Sequence, residues 1–300
     1  MYVLMTAAHN EEEFIEATLQ SVVAQTVPPQ RWVIVSDNST DRTDEIVASY
    51  ARQHPFIRLL HVSRAPGRNF GSKVMALQQG SKLLEDLDYQ FIGNADADVS
   101  LEPSYFEDLV RYFWRHPDLG LAGGFVYEDA GGEYRSLRMN DVRNVGHAAQ
   151  LMRRECYEAI GGYAVLKYGG EDWYAQTRAR MEGWRVESVP TLKIFHHRHT
   201  TGGSSPLRNA FRLGRQDHSF GSDPLFEFMK CLRRIPERPY FGHALARLAG
   251  FLWPYLRREP QAVGNDLATF LRQEQRQRVV QLLNRGWSVL TAASTRFEDE

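Results

Sequence analysis

Asp96 and Asp98, one residue apart in the run Asn94-Ala95-Asp96-Ala97-Asp98-Val99, are the residues whose type and spacing point most directly to chemistry. They follow an apolar stretch, residues 89–93, that reads as a strand. A strand ending in Asp-x-Asp aims both acids at the carboxyl edge of its sheet, where open α/β folds bind ligands. Two hard oxygen donors at that edge suit Mg²⁺ or Mn²⁺ shared with substrate phosphates. The same tripeptide also reads as an Asp-rich turn. Its context decides between them.

Three further loops carry residues of interest. After the first apolar run comes His9-Asn10-Glu11-Glu12-Glu13, where a dinucleotide fold would need Gly-x-Gly-x-x-Gly. Three glutamates there repel phosphate; they suit a helix start, and Glu11 can also accept hydrogen bonds from a ribose or base. The second run ends in Ser36-Asp37-Asn38-Ser39-Thr40-Asp41. Asp37 at a sheet edge can accept from a nucleobase N–H, with Ser39 or Thr40 as the N-cap of the next helix. The third loop, residues 65–73, offers Arg68 and Lys73 to a diphosphate, with glycines that permit close backbone approach. A solvated basic loop has the same composition.

The elements that must position these residues alternate regularly. Strands are expected at 2–6, 32–36, 57–62 and 89–93, with helices at 11–25, 41–52 and 71–84 between them. Such alternation means right-handed βαβ units and a largely parallel sheet. A helix at 103–115 and a strand at 119–126 follow, and residues 136–200 mix the two less regularly. Beyond Gly202-Gly203 the pattern turns to basic helices without strands. The expected division is a catalytic domain at 1–202 and a helical extension at 203–300. The former splits into a nucleotide-binding half, 1–100, and an acceptor half, 101–202.

With 300 residues and 43% hydrophobic content the chain can bury a full core. A net charge of −1 argues against a general nucleic-acid binder. Cys156 and Cys231 form no metal or disulfide pattern, which suits a reduced compartment. The start lacks the basic and long apolar regions of a signal peptide, and no apolar run nears the roughly 18 residues of a spanning helix. A cytoplasmic setting is expected, either free or at the inner face of the membrane.

Taken in order, His9-Asn10-Glu11-Glu12, Ser36-Asp37-Asn38-Ser39-Thr40-Asp41, Arg68-Asn69-Phe70-Gly71-Ser72-Lys73 and Asp96-Ala97-Asp98 resemble the family 2 glycosyltransferases of GT-A fold. Two later segments agree: residues 150–163, ending in Gly161-Gly162-Tyr163, and Tyr168-Gly169-Gly170-Glu171-Asp172-Trp173. The resemblance covers about residues 1–200. It implies a Rossmann-like α/β domain with a mixed, mostly parallel sheet. It also implies a nucleoside-diphosphate sugar donor, a Mn²⁺ or Mg²⁺ cofactor and inversion at the anomeric carbon.

Carried over by position, Asn10, Glu11 and Asp37 hold the nucleoside, while Asn69 and Lys73 belong to the donor loop. Asp96 meets the ribose or metal, Asp98 the metal on the diphosphate, and Asp172 is the general base. Glu171 orients it or caps the helix. In such enzymes a histidine near 196 often completes the metal shell. Strand alternation puts His196 and Arg198 on one face and His197 and His199 on the other, so His196 is favoured. The Gln-x-x-Arg-Trp motif of processive synthases is missing from 213–218, which points to one sugar per encounter.

UDP is the favoured nucleotide, and a glycan or lipid-linked alcohol is the expected acceptor. Two other readings compete: a non-catalytic nucleotide-sugar-binding subunit, and a sugar-phosphate nucleotidyltransferase. Glu11 to Glu13 oppose the second, which wants a glycine-rich basic loop there. The apolar stretch 240–253, with Arg247, Arg257 and Arg258 nearby, reads as either an interfacial helix on an anionic leaflet or one packed in a core. Residues 267–283 read as a solvated amphipathic helix.

Overall fold

The computed structural model describes residues 1–63, 71–129, 131–137, 140–198, 205–235 and 240–294, with side chains to 281. The chain divides into two compact units, Met1–Gly202 and Gly203–Glu300. In the first unit the order is β1 (Tyr2–Ala8), α1 (Ile15–Val23), β2 (Arg31–Asp37), α2 (Thr43–Gln53), β3 (Ile57–Val62), α3 (Ser72–Ser81), β4 (Phe91–Ala95), β5 (Val99–Leu101) and α4 (Tyr105–Arg115). It continues with β6 (Leu119–Asp129), β7 (Tyr134–Ser136), β8 (Ala149–Arg153), α5 (Arg154–Ala159), α6 (Glu171–Met181) and β9 (Arg185–His196).

These strands form one mixed sheet in the order β3-β2-β1-β4-β8-β6-β9-β5, with β7 paired to β6. The β3-β2-β1-β4 half is wholly parallel, so β1, β2 and β4 all end at one edge. The other half mixes directions, with β8 antiparallel to β4 and β6, and β6 parallel to β9.

Alternation along the strands builds a core on each face. Leu4, Trp32, Ile34 and Phe91 face one way, toward Leu19, Val47, Phe106 and Phe113. Val3, Met5, Val33 and Ile92 face the other, toward Val74, Leu77, Cys156 and Ala175. Where Trp32 is wholly buried its indole N–H donates to Thr6 Oγ1 at 2.9 Å, and Thr6 Oγ1 donates to the Ala95 carbonyl at 2.7 Å. The buried indole N–H of Trp32 and hydroxyl of Thr6 are thus both paired, as burial demands.

Several boundaries differ from the sequence expectation, and three of them have a local reason. The first helix starts at Ile15 rather than residue 11, because Glu11 to Phe14 form a turn bonded to the loop after β2. The second starts at Thr43, with Arg42 rather than Ser39 or Thr40 at its N-cap position and the Asp41 carboxylate bonded to its first residue. Asp41 Oδ1 accepts from the Thr43 amide at 3.0 Å and its hydroxyl at 2.6 Å. The fourth strand is Phe91–Ala95, two residues later than expected, and carries Ala95 into the core.

The second unit holds α7 (Pro206–Ser219), α8 (Pro224–Arg233), α9 (Gly242–Arg257) and α10 (Asn265–Ser294). Here α7 and α9 cross backbone to backbone: a Cβ on Gly214 would strike the Arg247 carbonyl, and one on Gly250 the Phe211 carbonyl. Among the described residues no helix is long and apolar enough to cross a membrane.

Candidate active site

The loops after β1 and β2 are laced into one surface at the carboxyl edge. Both turn on an asparagine in the left-handed region, Asn10 (φ 55°) and Asn38 (φ 54°), which asparagine tolerates better than most residues. Asn10 Oδ1 accepts from the Thr40 amide at 2.8 Å, and the Glu11 amide donates to Thr43 Oγ1 at 2.8 Å. His9 Nδ1 donates to the Asp37 carbonyl at 2.6 Å, so Asp37 ends β2 beside this loop, half-buried. Asn10, Glu11 and Asp37 therefore share one edge, with the side-chain oxygen of Asn10 holding the loops together.

The Asp96-Ala97-Asp98 turn joins β4 to β5 at the same edge. Its placement comes from the ladder on either side. The Asp96 amide donates to the Ala148 carbonyl at 2.7 Å, and Val99 N donates to Thr18 Oγ1 at 3.1 Å. Antiparallel pairing sets Val99 opposite His196, and the His197 amide donates to the Asp98 carbonyl at 2.9 Å. Residues 98 and 196 are far apart in the chain, yet this register makes them neighbours.

A break in β9 makes that register possible. Its pairing with β6 jumps from Val189 opposite Gly124 to Lys193 opposite Phe125, and Pro190, which lacks an N–H, lies in the gap. A Cβ at Gly124 would crowd the Leu192 carbonyl there.

His196 Nε2 lies 3.4 Å from Asp98 Oδ1, and Arg198 Nε lies 3.4 Å from Asp98 Oδ2. The Nδ1 of His196 donates to the Arg198 carbonyl at 2.5 Å, which leaves Nε2 as the ring's free lone pair when the ring is neutral. An imidazole lone pair facing a carboxylate needs a positive charge between them, either a proton or a metal ion. Burial pulls the His196 pKa down, but the Asp98 hydrogen bond and charge outweigh it, so it is raised. Burial pushes Asp98 up, yet His196, Arg198 and Lys73 together hold it below the usual carboxylate range.

The donor set fits a divalent cation. One hard carboxylate oxygen and one imidazole nitrogen, the latter anchored at its far side to a carbonyl, resemble a metal ligand pair with its second shell. Among the described residues no three His, Cys, Asp or Glu side chains converge as a closed cage. Mg²⁺ and Mn²⁺ sites that bind phosphates take few protein ligands and fill the rest from substrate and water.

Glu11 and Asp96 stand beside this pair. Arg198 bridges the Glu11 carboxylate to Asp98. Burial, opposed by Arg198 and reinforced by Asp98 and Asp96, pushes Glu11 up to about 7. Lys73 Nζ pairs with Asp96 Oδ1 at 2.6 Å. Burial pushes Asp96 up to about 6 even against that lysine. A ligand at Asp96 thus meets a carboxylate already joined to Lys73, a partnership that neither residue's sequence context signalled. Asn69, and with it Arg68, lies outside the described residues, as does His199.

Asp172 opens the first turn of α6 after Gly169 and Gly170, both left-handed at φ 77° and 95°. Its Oδ1 accepts from the Trp173 amide at 2.7 Å, while Glu171 Oε2 accepts from the Gly170 amide at 3.0 Å. Glu171 thus folds back over the helix start, a capping role. Burial and the Glu171 charge raise the Asp172 pKa. Lys73 links the two sides, since its ammonium feels Asp96, Glu171 and Asp98, and Asp172 feels Lys73 in turn.

A buried relay that sequence reasoning missed supports the turn. Gln150 Nε2 donates to Tyr163 Oη at 2.7 Å, Tyr163 Oη donates to Asn94 Oδ1 at 2.9 Å, and Asn94 Nδ2 donates to the His147 carbonyl at 2.5 Å. Its one sequence signal is a polar Asn94 inside an otherwise apolar strand. His197 is not paired with the Asp98 carboxylate in the way His196 is: its Nδ1 meets Tyr134 Oη at 2.7 Å and its ring stacks on Phe14.

Comparison with known proteins shows the family of the chain. The model of the family described as "Glycosyl transferase family 2" matches residues 4–169. The chain is 34% identical over 214 residues to β-monoglucosyldiacylglycerol synthase of Synechocystis sp., covering 66% of this chain and 41% of that protein. It is 29% identical over 121 residues to poly-β-1,6-N-acetyl-D-glucosamine synthase of Staphylococcus epidermidis, covering 40% of this chain and 27% of that one. The chain therefore spans well under half the length of these curated relatives.

Two solved structures share the fold. One is the mannosyltransferase PcManGT of Pyrobaculum calidifontis in complex with GDP-Man and Mn²⁺, with a TM-score of 0.54 at 19% identity, covering 97% of this chain and 84% of that one. The other is S. aureus TarS 1–349 in complex with UDP-GlcNAc, at 0.52 and 15%, covering 84% and 71%.

Proposed function

The chain belongs to glycosyl transferase family 2, and from that premise we propose that it is an inverting, metal-dependent transferase moving one sugar from a nucleoside-diphosphate donor to a hydroxyl acceptor. The observation that carries this reading is the β5–β9 register that joins Asp98 to His196. Asp172 stands at the start of α6, within electrostatic reach of Lys73.

In this reading Asn10, Glu11 and Asp37 hold the nucleoside on the laced loops, and Asp96 with Lys73 meets the ribose or diphosphate. Asn69 belongs to the same donor set by its motif. Asp98 and His196 would hold Mn²⁺ or Mg²⁺, which supplies positive charge against the departing diphosphate. Mn²⁺ accompanies the nucleotide sugar in the Pyrobaculum enzyme. Lys73 and Arg198 add fixed cationic charge at the same edge.

On the acceptor side, in the 101–202 half, Asp172 takes the hydroxyl proton as the acceptor oxygen bonds to the anomeric carbon. The bond from that carbon to the phosphate oxygen breaks in the same displacement, and the electron pair leaves with the nucleoside diphosphate. The raised pKa of Asp172 makes it a stronger base than a solvent-exposed aspartate. Glu171 is turned back on the Gly170 amide, so of the two adjacent carboxylates at this helix start Asp172 alone serves, which favours direct displacement over a covalent double displacement.

UDP is the favoured nucleotide. The acceptor is a glycan or a lipid-linked alcohol, in keeping with relatives named for a glycolipid and a polysaccharide. The setting is cytoplasmic, either free or at the inner membrane face; buried free thiols at Cys156 and Cys231 suit a reducing compartment.

The test is transfer from a panel of UDP-, GDP- and dTDP-sugars with Mn²⁺. Asp172→Asn keeps nucleotide binding and loses transfer by about 10²- to 10⁴-fold, the usual share of a general base. Full transfer by Asp172→Asn would remove the base. Pyrophosphate release from a nucleoside triphosphate would instead indicate nucleotidyl transfer.

A further inference from the structure

The second unit turns the usual distribution of charge inside out. On α9, Arg247 is 4% exposed and sits on the face packed against α7 and α8. Its Nε donates to Glu227 Oε1 at 2.8 Å, and its guanidinium also reaches Asp217. Glu227 of α8 is fully buried. Leucines take the outside instead. Leu245, Ala249, Leu252 and Leu256 recur at helical spacing along one outward stripe of α9. Leu245 is 64% exposed and Leu256 79%. On α8, Leu225, Phe228 and Leu232 form a second exposed stripe opposite Glu227. A helix facing water would do the reverse.

We propose that the outward face of α9 docks this chain onto an anionic lipid surface. The stripe runs about three turns without a charge and is bracketed by exposed aromatics, Tyr240 and Phe241 at one end and Trp253 and Tyr255 at the other. Aromatic rings of that kind settle at a headgroup boundary. Arg257 and Arg258 follow directly and are exposed. Residues 203–300 carry fifteen Lys and Arg against ten Asp and Glu, although the whole chain is at −1.

That positive excess draws the unit to anionic headgroups, and it sets two copies of the same face against each other. At 16 residues α9 is about 24 Å long, shorter than a spanning helix. It lies flat on the surface.

The inference adds a partner to the lipid-linked acceptor reading but does not depend on transfer, because docking is read without turnover. The test is flotation of the full chain with phosphatidylcholine vesicles, with and without roughly 30% phosphatidylglycerol as the anionic lipid. The parent chain is expected to float with the anionic vesicles and not the neutral ones. Leu252→Glu with Leu256→Glu, and separately Arg257→Gln with Arg258→Gln, each weaken binding at least about tenfold.

All four positions are exposed, so melting temperatures should hold, and the arginine pair keeps the test decisive if the leucine pair misfolds. Equal flotation with neutral and anionic vesicles overturns the proposal, as does parent-like binding by both pairs. A parent dimer that the leucine changes dissolve, with no vesicle binding, would assign the stripe to a second copy and overturn it too.

Discussion

At the scale of residues, the site concentrates carboxylates that are hard to keep ionised. Glu11 is pushed up to about 7 and Asp96 to about 6, both chiefly by burial. A carboxyl whose folded pKa lies above its unfolded value binds protons more tightly when folded. Its contribution to stability is therefore full below about pH 4 and lost as pH rises through the folded value. Glu11→Gln removes that loss while Arg198 keeps Asp98 as partner. We expect urea unfolding to show the variant more stable by about 1–3 kcal/mol at pH 8 and equal to the parent near pH 4. The raised pKa of Asp172 moves the ascending limb of the pH–kcat/KM profile above the ordinary aspartate range near 3.9. Asp172→Glu shifts that limb, and Asp172→Asn abolishes it.

At the scale of elements, the parts of the site differ in how they could be read. The strand–helix alternation and the Asp96-Ala97-Asp98 turn were legible because local period and turn chemistry agree there. The encounter of His196 with Asp98 depends on pairing between strands about 100 residues apart and on a break at Pro190, so no local pattern announces it. The Lys73–Asp96 pair and the Gln150–Tyr163–Asn94–His147 relay are hidden for the same reason, and the hold of Asp41 on Thr43 is masked because Ser39 and Thr40 are equally good N-cap types.

One position tests how strictly the elements set the turn. A Cβ at Gly93 would land on the Gln150 carbonyl, between β4 and β8. Gly93→Ala should cost about 1–3 kcal/mol in denaturant unfolding and weaken nucleotide binding alongside, because β4 leads straight into Asp96. In the second unit, Glu227→Ala leaves the Nε of buried Arg247 without its acceptor, with Asp217 as the remaining carboxylate on the guanidinium. A loss of about 1–3 kcal/mol is expected by the same measurement.

At the scale of the whole molecule, chemistry and charge are divided between two units. The first gathers carboxylates at a sheet edge, and the second carries the positive excess and the exposed leucines. Their division was visible in the sequence as the loss of strands after Gly202. The reversed faces of α8 and α9 were not, because apolar residues at helical spacing look alike whether they face a core or a lipid.

A ligand bound only by the folded chain at about 100 times its Kd adds about 2.7 kcal/mol, so UDP with Mn²⁺ should raise the melting temperature of the parent and leave Asp98→Ala unmoved. The most direct measurement is calorimetric titration of UDP, with GDP and dTDP beside it, into the parent and Asp98→Ala, in Mn²⁺ and then in excess chelator. Binding by the parent in Mn²⁺, lost at least about tenfold both in chelator and on Asp98→Ala, is the expected result. Nucleotide affinity unchanged by chelator and by removal of the Asp98 carboxylate would contradict the account.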